Sequence, residues 1–201
     1  MQEYTIMPAG ENGPNWDSVP KTELTHRLWV KAEEISAWAQ VCYDENYIYG
    51  RLTAKEAHIL SRYEGQTDPV SADSCLEFFF TPDEYRERYF NVEINPKGTP
   101  YFGYGRLRGD RYRFVRKDLK QLLQIQTFTT EDGWGVTFAV PVKDLQIFAP
   151  QFVPAPGKEI WGNFFKVAED SQTPHFITWS KIIWEKPDFH RPEFFGKLIF
   201  K

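Results

Sequence analysis

No apolar stretch in this chain outlasts a single strand, and turn-forming residues stop each one. Residues 37–43 run into Asp44-Glu45-Asn46 and resume at 47–52, which predicts a hairpin whose turn side chains bond their own backbone. Similar segments recur at 74–80, 88–95, 111–116, 122–129, 134–140, 160–167, 175–180 and 194–200, with Pro82-Asp83, Pro96-Lys97-Gly98 and Glu131-Asp132-Gly133 between them. Helical signal is confined to single turns near 83–88 and 141–145, too short to carry an amphipathic face. No repeat of fixed period is present, and the loop punctuated by Pro150, Pro154 and Pro156 separates strands of one style. The pattern predicts one all-β domain over residues 1–201. Its architecture is an antiparallel β-sandwich of immunoglobulin or jelly-roll type with very little helix.

Composition sharpens this. The 17 Phe, 10 Tyr and 7 Trp give enough apolar ring surface to offset chain entropy, which excludes a disordered chain. A formal charge of −4 argues against a nucleic-acid partner, whose binding rests on phosphate neutralisation. No run approaches the ~20 apolar residues that a bilayer span needs, so no membrane partner is expected. Met1-Gln2-Glu3-Tyr4 shows no leader pattern; an extracellular or periplasmic place fits if a leader has been removed. The two cysteines, Cys42 and Cys75, make neither a disulfide framework nor a metal cluster, and they read as small buried residues or as one bridge.

Strand alternation then picks out candidates for chemistry. Leu76, Phe78 and Phe80 share one face of their strand, and Cys75, Glu77 and Phe79 the other. A carboxylate among apolar neighbours needs a partner, either an arginine or a ligand. In the strand after it, Phe90, Val92 and Ile94 oppose Asn91, Glu93 and Asn95. Such an Asn/Glu row suits a solvated surface or one that exchanges hydrogen bonds with sugar hydroxyls. Glu77 and Glu93 also permit a glycosidase pair, if their carboxyls flank a bond at the required separation. No nucleophile elbow, phosphate loop or zinc-protease motif occurs.

His26, His58, His175 and His190 are not spaced for a metal; a haem-binding redox sandwich would draw its axial ligand from these or from Met1 and Met7. Among the tryptophans, Trp38, Trp134 and Trp161 lie within strands and are expected in the core, and Trp16 as a plug at one end. Trp179 and Trp184 stand near loops, where a ring can present a flat face to a sugar.

Several blocks fall in an order that resembles family-nine carbohydrate-binding modules, in particular a bacterial family-nine-like branch. They are 41–49, 73–83, 89–95, Gly133-Trp134, 161–166, 178–180 and 187–196. The resemblance covers nearly the whole chain. It implies a non-catalytic antiparallel sandwich that binds plant-type glycans or their ends in support of polysaccharide breakdown. Members are often joined to glycoside hydrolases and are in some cases stabilised by calcium. It further implies two tryptophans that clamp a sugar and a glutamate that bonds its hydroxyls. Glu77 matches the glutamate and Trp179 the second tryptophan. The first is expected six residues before Glu77, where this chain has Ser71, so either another ring, such as Tyr63 or Tyr104, replaces it, or the ligand differs, or binding has been lost. Asn95, Arg106 and Lys166 are assigned to the polar rim, and Asp44, Asp73, Glu169 and Asp170 are the carboxylates a structural calcium would draw on.

Overall fold

The structure, a computed structural model, describes residues 2–30 and 34–201. Among the described residues fourteen strands form: β1 Glu3–Pro8, β2 Thr22–Glu23, β3 His26–Arg27, β4 Ser36–Tyr43, β5 Tyr47–Lys55, β6 Cys75–Phe80 and β7 Tyr89–Ile94. They continue with β8 Pro100–Leu107, β9 Asp110–Arg113, β10 Gln126–Thr130, β11 Gly133–Pro141, β12 Glu159–Ala168, β13 His175–Thr178 and β14 Gly196–Phe200. Helix is limited to single turns, α1 Leu119–Leu122 and α2 Val142–Leu145, and two short 3-10 turns. The α1 turn occupies what the sequence offered as the start of a strand at 122. Residues 83–88 form bends and a turn instead of helix, with the Asp83 carboxylate accepting from the Tyr85 amide at 3.0 Å. Among the described residues, no helix is long and apolar enough to cross a membrane.

Two sheets pack face to face. The first runs β9-β8-β7-β6-β12-β14-β1, with β13 on the far half of β12 and β3 beside β13. The second runs β10-β11-β5-β4, with β2 on the outer edge of β4. Pairing is antiparallel except at β1, which corrects a purely antiparallel expectation. Its residues 3–6 lie parallel to β14 in the first sheet, and Met7 and Pro8 lie parallel to β4 in the second. β1 therefore ties the two sheets together at one edge.

Most of the aromatic content goes between the sheets. Phe78 stacks on Phe80 at 4.8 Å and on Phe164 at 4.9 Å, and Phe90, Phe102, Trp134 and Phe138 fill the same layer. Each such buried ring contributes roughly 1.5–3 kcal/mol through area removed from water. The first sheet is unusual in burying both faces of β6 and β7. A second apolar cluster of Cys75, Phe79, Tyr89, Phe165 and Val167 lies on its outer face, covered by the tail segment through Ile182, Phe189 and Phe195. Phe189 stacks flat on Phe165 at 4.2 Å. That cover explains why β6 reads as an unbroken apolar run around Glu77. The cover is incomplete, and the gap in it is the cleft described below.

Candidate functional site

The cleft holds about 300 Å³ on the outer face of the first sheet. Its floor is Glu77 from β6, Glu93 from β7, Tyr101 from β8 and Val167 from β12. One wall is the 67–71 segment, the opposite wall is Pro187 to His190, and Arg108, Arg111 and Arg113 enter from the β8–β9 hairpin. Alternation puts Glu77 and Glu93 on this face. The strand register then makes them direct cross-strand partners, with Cβ atoms roughly 5 Å apart.

The two carboxyls are treated differently by the protein. Glu93, 8% exposed, accepts from the Asn91 amide at 2.6 Å, and Asn91 in turn accepts from the Arg111 guanidinium. Glu77, 2% exposed, forms no hydrogen bond or ion pair with the described residues and faces the cleft. Burial and the facing Glu93 push the Glu77 carboxyl well above the usual range. Burial likewise raises Glu93 to about 7, against the lowering pull of Asn91 and the arginines. The pair therefore retains protons into the neutral range and offers both donor and acceptor oxygens.

Rings hold the surrounding groups in place. Arg111 lies over Tyr89 at 4.3 Å and donates to the Tyr89 carbonyl at 3.1 Å. Arg113 lies over Tyr101 at 4.4 Å and donates to the carbonyls of Thr67 and Asp68 at 3.2 and 3.3 Å. Arg108 pairs with Glu169 at 3.2 Å. His190 meets the Tyr89 hydroxyl through Nδ1 at 2.8 Å, and burial together with Arg111 and Arg108 lowers it to about 3, so its ring is neutral.

The other residues singled out from the sequence lie elsewhere. Trp179 is fully buried between the sheets, 5.4 Å from Phe164 and 6.4 Å from Tyr4, so its ring faces no ligand. Lys166 is opposite Leu76, which turns it to the inner face, where its ammonium meets Glu56 at 3.1 Å and His175 at 2.7 Å. Asn95 donates to Asp73 and to the Tyr63 carbonyl and accepts from the Thr99 amide, which fixes a turn outside the cleft. Arg106 is exposed and does not line the cleft. Ser71 does line it, so the position expected to carry a clamping tryptophan is at the rim but holds no ring. Neither proposed stand-in supplies one: Tyr104 packs on Phe90 in the core, and Tyr63 lies under Arg62 outside the cleft. Tyr101, Phe176 and Phe189 are the rings that line it.

Of the expected core tryptophans, Trp134 is buried. Trp38 and Trp161 are half-buried with cations over their rings, Lys21 at 4.4 Å and Arg86 at 3.4 Å. Trp16 is half-buried and its carbonyl accepts from Gln40. Trp184 is exposed under Arg191 at 3.4 Å. Cys42 and Cys75 are free and buried, so no bridge forms between them.

A shared calcium site does not fit the four carboxylates considered for it. Asp44 closes the β4–β5 turn by accepting from the Asn46 and Tyr47 amides and the Tyr49 hydroxyl. Asp73 accepts from the Arg62 and Tyr63 amides and from Asn95, while Asp170 and Glu169 each pair with an arginine. Among the described residues no group of three or more His, Cys, Asp or Glu side chains is placed to hold a metal. As to haem, His175 has both ring nitrogens engaged, by Lys166 and the Thr173 carbonyl, and Met1 lies outside the described residues.

A sandwich with a half-closed cleft lined by carboxyls, guanidiniums and rings defines a β-sandwich binding module for polar ligands. Comparison with known proteins narrows the class. The profile of carbohydrate-binding family 9 matches residues 19–200, and the chain belongs to that family. No curated protein matches it in sequence. A solved Bacteroides uniformis protein, provisionally assigned to carbohydrate binding, is similar at 24% identity over 100% of this chain and 99% of its own, with a TM-score of 0.81. A family 9 module from Caldicellulosiruptor kristjanssonii, solved with glucose, is similar at 12% identity over 100% and 96%, with a TM-score of 0.68. A module from the same organism solved with cellotriose gives 13% over 100% and 94%, with a TM-score of 0.67. At these identities the structures establish a shared fold.

Proposed function

We propose that this family 9 domain binds saccharide in the outer-face cleft, without catalysis, and so supports polysaccharide breakdown by holding glycan near other activities. The observation that carries the reading is Glu77. A carboxyl that is 2% exposed, forms no hydrogen bond or ion pair with the described residues and faces a cleft is costly unless a ligand donates to it. Sugar hydroxyls are such donors. Glu77 accepts from them, Glu93 and the arginines complete the polar floor, and Phe176 and Tyr101 give the ring surface. Glucose and cellotriose, bound by the two similar modules, are the ligands to try first.

With Ser71 at the rim, one aromatic platform is missing. Each such platform is worth about 1–3 kcal/mol by analogy with base stacking, so binding depends on the polar contacts and is weak, roughly millimolar.

Hydrolysis by Glu77 and Glu93 is disfavoured by their placement. Cross-strand neighbours on one face stand on the same side of a ligand lying on the sheet, whereas hydrolysis needs them to flank the bond. Calorimetric titration with glucose and cellotriose tests the reading. Saturable heats that vanish in Glu77→Ala are expected. Absence of heat at millimolar sugar, or undiminished binding in the variant, overturns it.

A further inference from the structure

We infer that the cleft selects a carboxylated sugar, a uronic acid residue, over its neutral counterpart, with Arg111 and Arg113 receiving the carboxylate; this rests on the cleft being the saccharide site. The two residues are two apart on β9, both line the cleft, and each guanidinium is laid on a tyrosine ring. A guanidinium held on a ring is a preorganised planar fork, the shape that matches a planar carboxylate with paired hydrogen bonds.

What makes them unusual is their company. Neither forms an ion pair with any carboxylate among the described residues; their acceptors are the carbonyls of Tyr89, Thr67 and Asp68 and the Asn91 side chain. Nε and Nη1 of Arg111 and Nε of Arg113 are enclosed without a well-formed acceptor, the Tyr101 hydroxyl alone lying close enough to interact with Arg111. Enclosed donors left unmatched on two half-buried cations are costly and mark a missing acidic partner.

Every acidic group that lines the cleft is otherwise committed. Glu169 pairs with Arg108, Asp68 accepts from the Glu64 and Gly65 amides, and Asp188 accepts from the His190 amide. Glu77 and Glu93 face one another; burial raises both toward the protonated form, and Glu93 raises Glu77 further. With Glu77 protonated and Glu93 only partly ionised at neutral pH, much of the guanidinium charge stays uncompensated and an incoming anion is tolerated. A neutral sugar offers Arg111 and Arg113 only hydroxyl oxygens. A carboxylate at C6 supplies the charge-assisted pair.

Calorimetric titration of the full chain with methyl glucuronide, methyl glucoside and glucose 6-sulfate at neutral pH tests this. The glucuronide should bind about tenfold tighter than the glucoside or better, as one charge-assisted pair gives. The preference should shrink at high salt and approach unity in Arg111→Gln and Arg113→Gln, with circular dichroism confirming that both fold. Glucoside binding as tightly as glucuronide overturns the inference while leaving the saccharide site in place. A preference undiminished in both variants, or tighter binding of the sulfate, also overturns it. If no sugar binds, the saccharide reading falls with it.

Discussion

Glu93 gives a stability that depends on pH in a direction opposite to an ordinary surface carboxylate. Its folded carboxyl is raised to about 7 from an ordinary 4.5, because burial disfavours the charge by more than Asn91 and the arginines favour it. A carboxyl raised in the fold binds more protons folded than unfolded across that window. Its contribution is therefore intact below about 4.5 and is lost as pH rises through about 7. The displacement corresponds to about 3 kcal/mol once both states are ionised. His175 and His190, lowered to about 4 and 3, act oppositely: they are neutral in the fold, and stability falls as pH drops below the ordinary 6.5. The wild-type profile thus mixes two slopes. Comparison with Glu93→Gln isolates one, since glutamine keeps the acceptor for Asn91 and leaves both histidines in place. Urea unfolding followed by tryptophan fluorescence, in steps from pH 4.5 to 8, should show the variant gaining on wild type by about 3 kcal/mol as pH rises. A difference that is flat across the range, or that shrinks with rising pH, refutes the reasoning.

Further predictions concern groups that lie away from the cleft. Trp179→Ala empties a filled position between the sheets and should cost about 3–5 kcal/mol, read as a lower Tm or urea midpoint. Unchanged stability would return that ring to the surface. Lys166→Met leaves Glu56 buried without its ammonium partner and should cost about 3–5 kcal/mol, with the Lys166→Met/Glu56→Gln pair recovering part of it in urea melts. Cys42 is pushed up to about 12 and Cys75 well above its usual value, both chiefly by burial, so a thiol reagent should label neither until the protein unfolds. Rapid labelling of the native protein would contradict their placement.

The fold was largely legible because its strands obey alternation, and the segments around β4 to β7 and β11 to β14 lie near where the pattern put them. β1, β2, β3 and β8 were not. β8 contains Gly103 and Gly105, which leave gaps in the side-chain alternation that marks a strand. At Gly105 a Cβ would stand 2.1 Å from the Asp110 carbonyl oxygen, so the close β8–β9 approach needs glycine. The register shift between Gly105 and Leu107 then breaks the alternation, which is why Arg108 lines the cleft and Arg106 does not. The alternating Arg111-Tyr112-Arg113 was the available signal for the arginine wall.

By itself the sequence determined which side chains share a face. It placed Glu77 with Phe79 on one face of its strand and Glu93 with Asn91 on one face of the next, because a strand's period is a local property of the backbone. Which face looks inward, and what covers the other, was decided only by tertiary structure. Trp179 stands just past the end of the short strand β13, and nothing local tells whether such a ring points at solvent or at the opposing sheet. The cleft depends on residues more than a hundred positions apart, Val70 and Phe189, lying over one sheet and leaving a gap above Glu77. That arrangement comes from how the tail packs, a non-local free-energy balance that no window of sequence contains.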